Sequence, residues 1–212
     1  MADLRLLYDA ILNGDAKAAV SATREALAEN VHPTDLITGH LVPAMDEVGR
    51  RFECQEFFVP ELLLSARAMK GAMELLQPLL AAVGARPIGR VVIGTVKGDL
   101  HDIGKNLVAS MLQGGGFEIF DLGADVSPEK FVAAVREQQA QIVCLSALVT
   151  VTMPAMKATI EALSSAGLRE QVKVLVGGAP LTEQYAREIG ADGYGENATE
   201  AVTLARHALA GV

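Results

Sequence analysis

The segment TVKGDLHDIGKNLV, residues 95–108, sets Asp99, His101 and Gly104 at D-x-H-x-x-G spacing directly after the apolar run VVIGTV. A histidine that holds a metal ordinarily donates its other ring N–H to a carboxylate, which fixes the tautomer and raises the basicity of the ligating nitrogen. Asp99, two residues earlier and preceded by Gly98, is placed to be that carboxylate. Gly104 has no side chain, so a bulky group can approach closely there. The chain has four histidines, and neither a second one nor a cysteine lies nearby to complete a zinc-type donor set. A metal bound here must therefore bring most of its ligands with it, as in a tetrapyrrole-type cofactor. The same residues also read as an ordinary histidine at a helix start, and taken alone they leave both readings open. A binuclear metallophosphoesterase also opens on D-x-H, but needs G-N-H-[ED] and further histidines. His32, His40 and His207 all fall in predicted helices or helix entries, which excludes that chemistry.

The elements that must position these residues change character near AAVGARPIG, residues 81–89. Before it the pattern is helical. Residues 2–13 and 16–29 predict two short helices divided by Asn13-Gly14, with Asp15 as a cap. Pro33 opens a third, which runs on with a kink expected at Pro43. Pro60 opens a fourth, where Leu62, Ala66, Met69, Met73 and Leu76 recur at helix-bundle spacing and Pro78 is expected to bend or end it. Those methionines read as core packing. After Pro87, the short apolar runs RVVIGTV, FEIFDLG, QIVCLSAL and VKVLVGG alternate with helical stretches, and LTEQYAREIG, ADGYG and NATEAVTLARHALA add a final helix, strand and helix. This predicts a helical bundle over residues 1–86, followed over 87–212 by a doubly wound, five-stranded parallel sheet. Ligands of such sheets bind beyond the strand C-termini, and Asp99, His101, Gly104, Ser146, Leu148, Gly177, Gly178, Gly193 and Gly195 all fall at that edge. Together they describe a long, shallow cradle for a large ligand.

Composition narrows the classes. The 212 residues are 50% hydrophobic but only 4% aromatic, with no Trp, so the core is aliphatic. A net charge of -8 without a Lys/Arg cluster argues against nucleic acid. Cys54, in a polar turn, and Cys144, in an apolar run, form no CxxC and fit a reducing compartment. The N-terminus carries no signal-like apolar stretch and no run is long enough for a membrane span, so a cytoplasmic protein is expected.

With these motifs in view, the chain resembles the cobalamin-binding modules of methionine synthase and the small corrinoid proteins of anaerobic methyltransferase systems. That family's fingerprint is D-x-H-x-x-G, S-x-L and G-G in order. Here Asp99–Gly104 is followed after 41 residues by Ser146-Ala147-Leu148, and after 28 more by Gly177-Gly178. The segment MDEVGRRFECQEFFVPELLLSARAM resembles the family's helical methyl-cap module, so the likeness spans nearly the whole chain.

The resemblance implies a cobalamin or related corrinoid bound with its own base displaced and His101 as axial ligand of cobalt. It makes Asp99 the histidine's carboxylate partner, with Thr152 the relay hydroxyl where methionine synthase has serine. Gly98, Asp102, Ile103 and Gly104 would line the histidine's side of the site. The nucleotide tail would pass Ser146, Leu148 and Thr150, then Gly177-Gly178, with Asn197 and Ala198 closing the edge. Phe52 and Val59 would cap the upper face, shielding methylcobalamin. The implied function is a methyl carrier between a substrate-specific methyltransferase and a second one using tetrahydrofolate or a thiol, with chemistry at cobalt rather than at a catalytic side chain. A TIM barrel needs about 250 residues, so the barrel methyltransferases would be separate subunits, and a reductive activase is a further expected partner. Neither nucleic acid nor membrane is implied. A subunit of an adenosylcobalamin-dependent isomerase would lack the cap-like bundle. A cobalamin-dependent regulator would carry a DNA-binding segment for which this N-terminus has no basic patch.

Overall fold

The computed structural model describes residues 3–82 and 87–210. The chain divides into two compact units, Met1–Pro87 with Gln113–Gly116, and Ile88–Leu112 with Phe117–Val212. Residues 83–86, in the stretch where the helical pattern ends, lie outside the described residues.

In the first unit, helix α1 (Leu4–Leu12) starts at Asp3, whose carboxylate accepts the Arg5 N–H. Helix α2 (Ala16–Ala28) starts at Asp15, which takes the N–H groups of Lys17 and Ala18. The turn between them needs Gly14: its φ is +70°, and an added Cβ would sit 2.5 Å from Cβ of Leu64. The short helix α3 (Pro33–Leu36) has proline in its first turn and His32 as its cap. Just upstream of Pro43, where a kink is expected, the chain makes a π-helical turn, Ile37–Leu41, closed by the Val42 N–H on the Ile37 carbonyl. The widened turn lets Pro43 sit in the first turn of α4 (Val42–Glu53), where its missing N–H costs little.

Helix α5 (Val59–Ala82) continues past Pro78, so the proline does not end it. Proline at 78 removes the N–H that would meet the carbonyl of Glu74. Glu74 is exposed, so water can satisfy that carbonyl and the helix survives. The expected seam is buried throughout, from Leu62 at 0% exposure to Met73 at 6%. Helix α5 packs along α2, and α1 packs on α2 and α4.

The second unit holds β1 (Arg90–Thr95), α6 (Ile103–Gly114), β2 (Glu118–Asp121), α7 (Pro128–Gln138), β3 (Ile142–Ser146), α8 (Pro154–Ser165), β4 (Lys173–Gly177), α9 (Glu183–Glu188), β5 (Gly193–Gly195) and α10 (Ala198–Ala210). All strand pairs are parallel, in the order β2-β1-β3-β4-β5. β1 and β3 are near-continuous buried aliphatic runs, as a sheet covered on both faces requires. One face carries Val92, Val143, Val174 and Val176 against Phe131 of α7, Met156 and Ile160 of α8, and Ile189 after α9. Right-handed crossovers run one way from β1 to β2 and the other way from β2 through β5, which sends α6 to the opposite face. The order therefore switches between β1 and β3, and the loops leaving these two strands diverge into a crevice at their C-terminal ends. No helix among the described residues is long and apolar enough to cross a membrane.

Candidate functional site

The register aligns the strand ends in one row: Thr95 pairs with Ser146, Ser146 with Gly177, and Gly177 with Gly195. Gly193 and Gly195, expected just after the fifth strand, lie within it. Small residues thus end four adjacent strands and leave a shallow edge above the sheet. Gly178 cannot be replaced in this geometry. Its φ is +136°, and an added Cβ would fall 1.9 Å from the carbonyl oxygen of Ala147. At Gly177 an added Cβ would meet the Gly195 carbonyl at 3.1 Å.

Two loops flank the switch point. The loop after β1 carries Asp99 and His101, and the one after β3 carries Leu148, Val149 and Thr152. Asp99 joins them. It is 1% exposed, yet both carboxylate oxygens are used. Oδ1 accepts the His101 backbone N–H at 3.0 Å and faces His101 Nδ1 at 2.8 Å. Oδ2 accepts the Leu148 N–H at 2.8 Å and lies 2.7 Å from Thr152 Oγ1. Burial pushes the Asp99 pKa up, but the N–H groups of His101 and Leu148, the Thr152 hydroxyl and the His101 ring outweigh it and hold the group well below the usual carboxylate range. Thr152 Oγ1 is also 2.8 Å from the Val149 carbonyl. It has one proton to give, and the ionised carboxylate is the stronger acceptor.

The acceptor at Nδ1 selects the Nδ1–H tautomer of a neutral imidazole, which leaves the lone pair on Nε2. The His101 side chain is 54% exposed, so that nitrogen is accessible, and the Thr95 hydroxyl holds the His101 carbonyl at 2.9 Å. The same two loops and the start of α6 carry exposed aliphatic side chains, Leu100 and Ile103 at 76% and Val151 at 83%. An added Cβ at Gly104 would meet nothing within 4 Å. No group of three or more His, Cys, Asp or Glu among the described residues could hold a bare metal ion. One imidazole nitrogen, an open glycine and an apolar collar therefore suit a large, flat, mostly apolar ligand whose metal arrives already coordinated.

The structure thus gathers Asp99, His101 and Thr152 into hydrogen-bonding contact, and places Gly98, Ile103, Gly104, Ser146, Leu148, Thr150, Gly177 and Gly178 on the same edge of the sheet. Asp102 accepts from the Asn106 amide and backbone N–H, starting α6. Asn197 is engaged in helix capping, accepting the Glu200 N–H at 2.9 Å, and Ala198 is 6% exposed. In the first unit, part-buried Phe52 lies in the last turn of α4 and Val59, 43% exposed, begins α5, on either side of the turn 54–58. Phe58 in that turn is more exposed still, at 62%, and its N–H is capped by Glu61. Sequence reasoning passed over Phe58, Val151 and Asp125. Val151 and Phe58 sit in apolar runs that pattern alone assigns to a core. Asp125 lies in the turn segment GADVSPE and shows its role only through contacts with the neighbouring loop.

Two family models, both described as a B12 binding domain, match the chain in succession, over residues 4–85 and 89–203. Trimethylamine corrinoid protein 1 of Methanosarcina acetivorans is 44% identical over 95% of this chain and 94% of that protein. The dimethylamine corrinoid protein of Methanosarcina barkeri is 43% identical over 98% and 97%. Among solved structures, the methanol:cobalamin methyltransferase complex MtaBC of M. barkeri superposes with a TM-score of 0.88 at 30% identity, covering 99% of this chain and 80% of that one. A cobalamin-binding protein from Desulfitobacterium hafniense DCB-2 gives 0.79 at 33% identity, over 98% and 99%. The Asp99–His101 loop, the glycine-lined edge and these matches along both units lead to one conclusion: the chain belongs to the family of cobalamin-binding corrinoid proteins of methyltransferase systems.

Proposed function

We propose that this chain is the corrinoid methyl carrier of a methylamine-type methyltransferase system, with residues 1–86 as a cap domain and 87–212 as the cofactor-binding domain. The observation that carries the reading is the buried Asp99 carboxylate, which orients the His101 imidazole from below while accepting from Thr152. When bound, the corrinoid supplies the cobalt on which a methyl group travels from a substrate-specific methyltransferase to a second one.

The chain's own residues do the rest. His101 would offer Nε2 to the metal, and Asp99, facing Nδ1, would keep that nitrogen protonated so that Nε2 stays the donor. Thr152 holds the second Asp99 oxygen. Ser146, Leu148, Thr150, Gly177 and Gly178 form a slot for the cofactor's extended tail, closed by Asn197 and Ala198. Gly98, Asp102, Ile103 and Gly104 shape its approach on the histidine's side. Phe52 and Val59 would shield the methylated cofactor from water. The amine class is favoured because the trimethylamine and dimethylamine corrinoid proteins match at 43–44% over almost their full length. The partners are separate methyltransferase subunits, the first a barrel that supplies the methyl group, with a reductive activase restoring lapsed cofactor. Free thiols at Cys54 and Cys144 are in keeping with a cytoplasmic address.

Electron paramagnetic resonance of the Co(II) form tests the assignment. Protein carrying 15N-histidine should show one protein nitrogen on cobalt, and His101→Ala should lose it. A spectrum of base-on cobalamin in the wild type defeats the ligand assignment. Methylation of the reduced protein by trimethylamine, dimethylamine or methanol, each with its own methyltransferase, then identifies the donor.

A further inference from the structure

The segment between Val96 and Ile103 has no regular secondary structure, yet it must present His101 to within a few tenths of an ångström. Much of what holds it comes from the loop after β2. The Asp125 carboxylate accepts the Gly98 backbone N–H at 2.8 Å, and the Asp125 N–H donates to the Asp99 carbonyl at 2.9 Å. Asp125 therefore grips the chain on both sides of the Asp99 α-carbon. The geometry requires special backbone at both contacts, with φ of +85° at Gly98 and 54° at Asp125. Lys97 Nζ adds an ion pair to the same carboxylate at 2.9 Å. Below the clasp, Val96 bridges Val126, the Val126 N–H reaches the Thr95 carbonyl at 3.0 Å, and the Thr95 N–H reaches Gly123. A second tie lies on the other side of His101, where buried Lys105 in the first turn of α6 reaches Asp121 at the end of β2.

We propose that Asp125 is a positioning residue for His101, clasping the loop after β1 so that the Asp99 carboxylate meets the imidazole and Thr152 together. A rotation at Asp99 that moves its carboxylate by about 1 Å takes these contacts out of hydrogen-bonding range. The imidazole is then released to the Nε2–H tautomer that free histidine prefers, and the nitrogen meant for the metal is protonated. Asp125 acts on His101 through the Gly98–Asp99 backbone. The inference rests on the reading of His101 as the axial ligand, but its first measurement does not.

The test uses the full chain labelled with 15N-histidine. In the cofactor-free protein, nitrogen chemical shifts report the His101 tautomer. Asp125→Gly removes the carboxylate at a positive-φ position that glycine occupies without strain. It should lower the ratio of Nδ1–H to Nε2–H forms roughly tenfold, the low end of what a hydrogen bond to a charged group contributes. Asp125→Asn keeps an oxygen for the Gly98 N–H and should restore most of the ratio. After reconstitution with cobalamin, the fraction of Co(II) signal showing protein nitrogen should follow the same order. A wild-type tautomer ratio in Asp125→Gly overturns the proposal, as does failure of Asp125→Asn to restore it. If the wild-type Co(II) signal shows no protein nitrogen, the ligand reading falls, while the tautomer ratios still decide the role of Asp125.

Discussion

The two units differ in the reach of their polar contacts. In the helical unit these are mostly local. Glu47 pairs with Arg50 and Arg51 on its own helix, Asp15 caps the turn that follows it, and Phe58 is capped by Glu61 three residues on. In the α/β unit the contacts that shape the site are distant in sequence. Asp99 reaches Leu148 across 49 residues and Thr152 across 53, and Lys97 reaches Asp125 across 28. A bundle positions its apolar face by helical periodicity and needs few polar ties. A ligand site at a sheet edge is assembled from loops that only the strand order brings together, so its polar ties must be long-range.

The largest effect should come from filling the tightest glycine of the edge. Gly178→Ala should destabilise the protein by about 3–5 kcal/mol, through strained backbone and the clash with the Ala147 carbonyl. Urea unfolding measures it, and a loss under about 1 kcal/mol would mean the edge relaxes freely and is not a shaped slot.

Next is the hub. Asp99→Asn should weaken corrinoid binding by about 10–100-fold while the fold persists, as read by titration with cobalamin. Because folding depresses the Asp99 pKa, its stabilisation is full above the unfolded carboxylate value of about 3.9 and is lost as the pH falls through the acid range. The melting temperature of the wild type should therefore fall more steeply below about pH 4 than that of Asp99→Asn. Parallel acid limbs would break the claim that Asp99 is ionised in place.

Phe52→Ala should do less to binding and more to protection. Corrinoid should remain on His101, while the photolysis yield of the methylated cofactor rises severalfold as the methyl radical escapes. An unchanged yield would detach Phe52 from the capping role. The smallest effect belongs to a local contact. Glu47→Gln removes a carboxylate held at about 2 by its hydrogen bonds to Arg50 and Arg51, yet it should not shift the melting temperature measurably, because such surface helix pairs contribute little. A large loss there would erase the distinction between the units.

The sequence made the two halves, five strands and the D-x-H, S-x-L and G-G positions legible. Each rests on something local: helical or alternating periodicity, a capping residue, or a motif whose residue types state their chemistry. That the helix does not end at Pro78 is not legible in the sequence, because proline's cost depends on whether the orphaned carbonyl faces water, and Glu74's exposure is a property of the bundle. Thr152 was identified through family resemblance, but its single proton and two competing acceptors became visible only with the loop in place.

What the sequence determined by itself is the inventory: one ligand-type histidine beside a carboxylate, glycines where strands end, and an aliphatic core that favours a covered parallel sheet. The tertiary structure alone decided which groups meet. The order β2-β1-β3 sets the loops after β1 and β2 side by side, so that Asp125 can clasp Gly98, and sets the loop after β3 within reach of Asp99. Hydrogen bonds act over about 3 Å, while the residues they join here lie 27 to 53 positions apart, a separation that periodicity cannot bridge and strand register can.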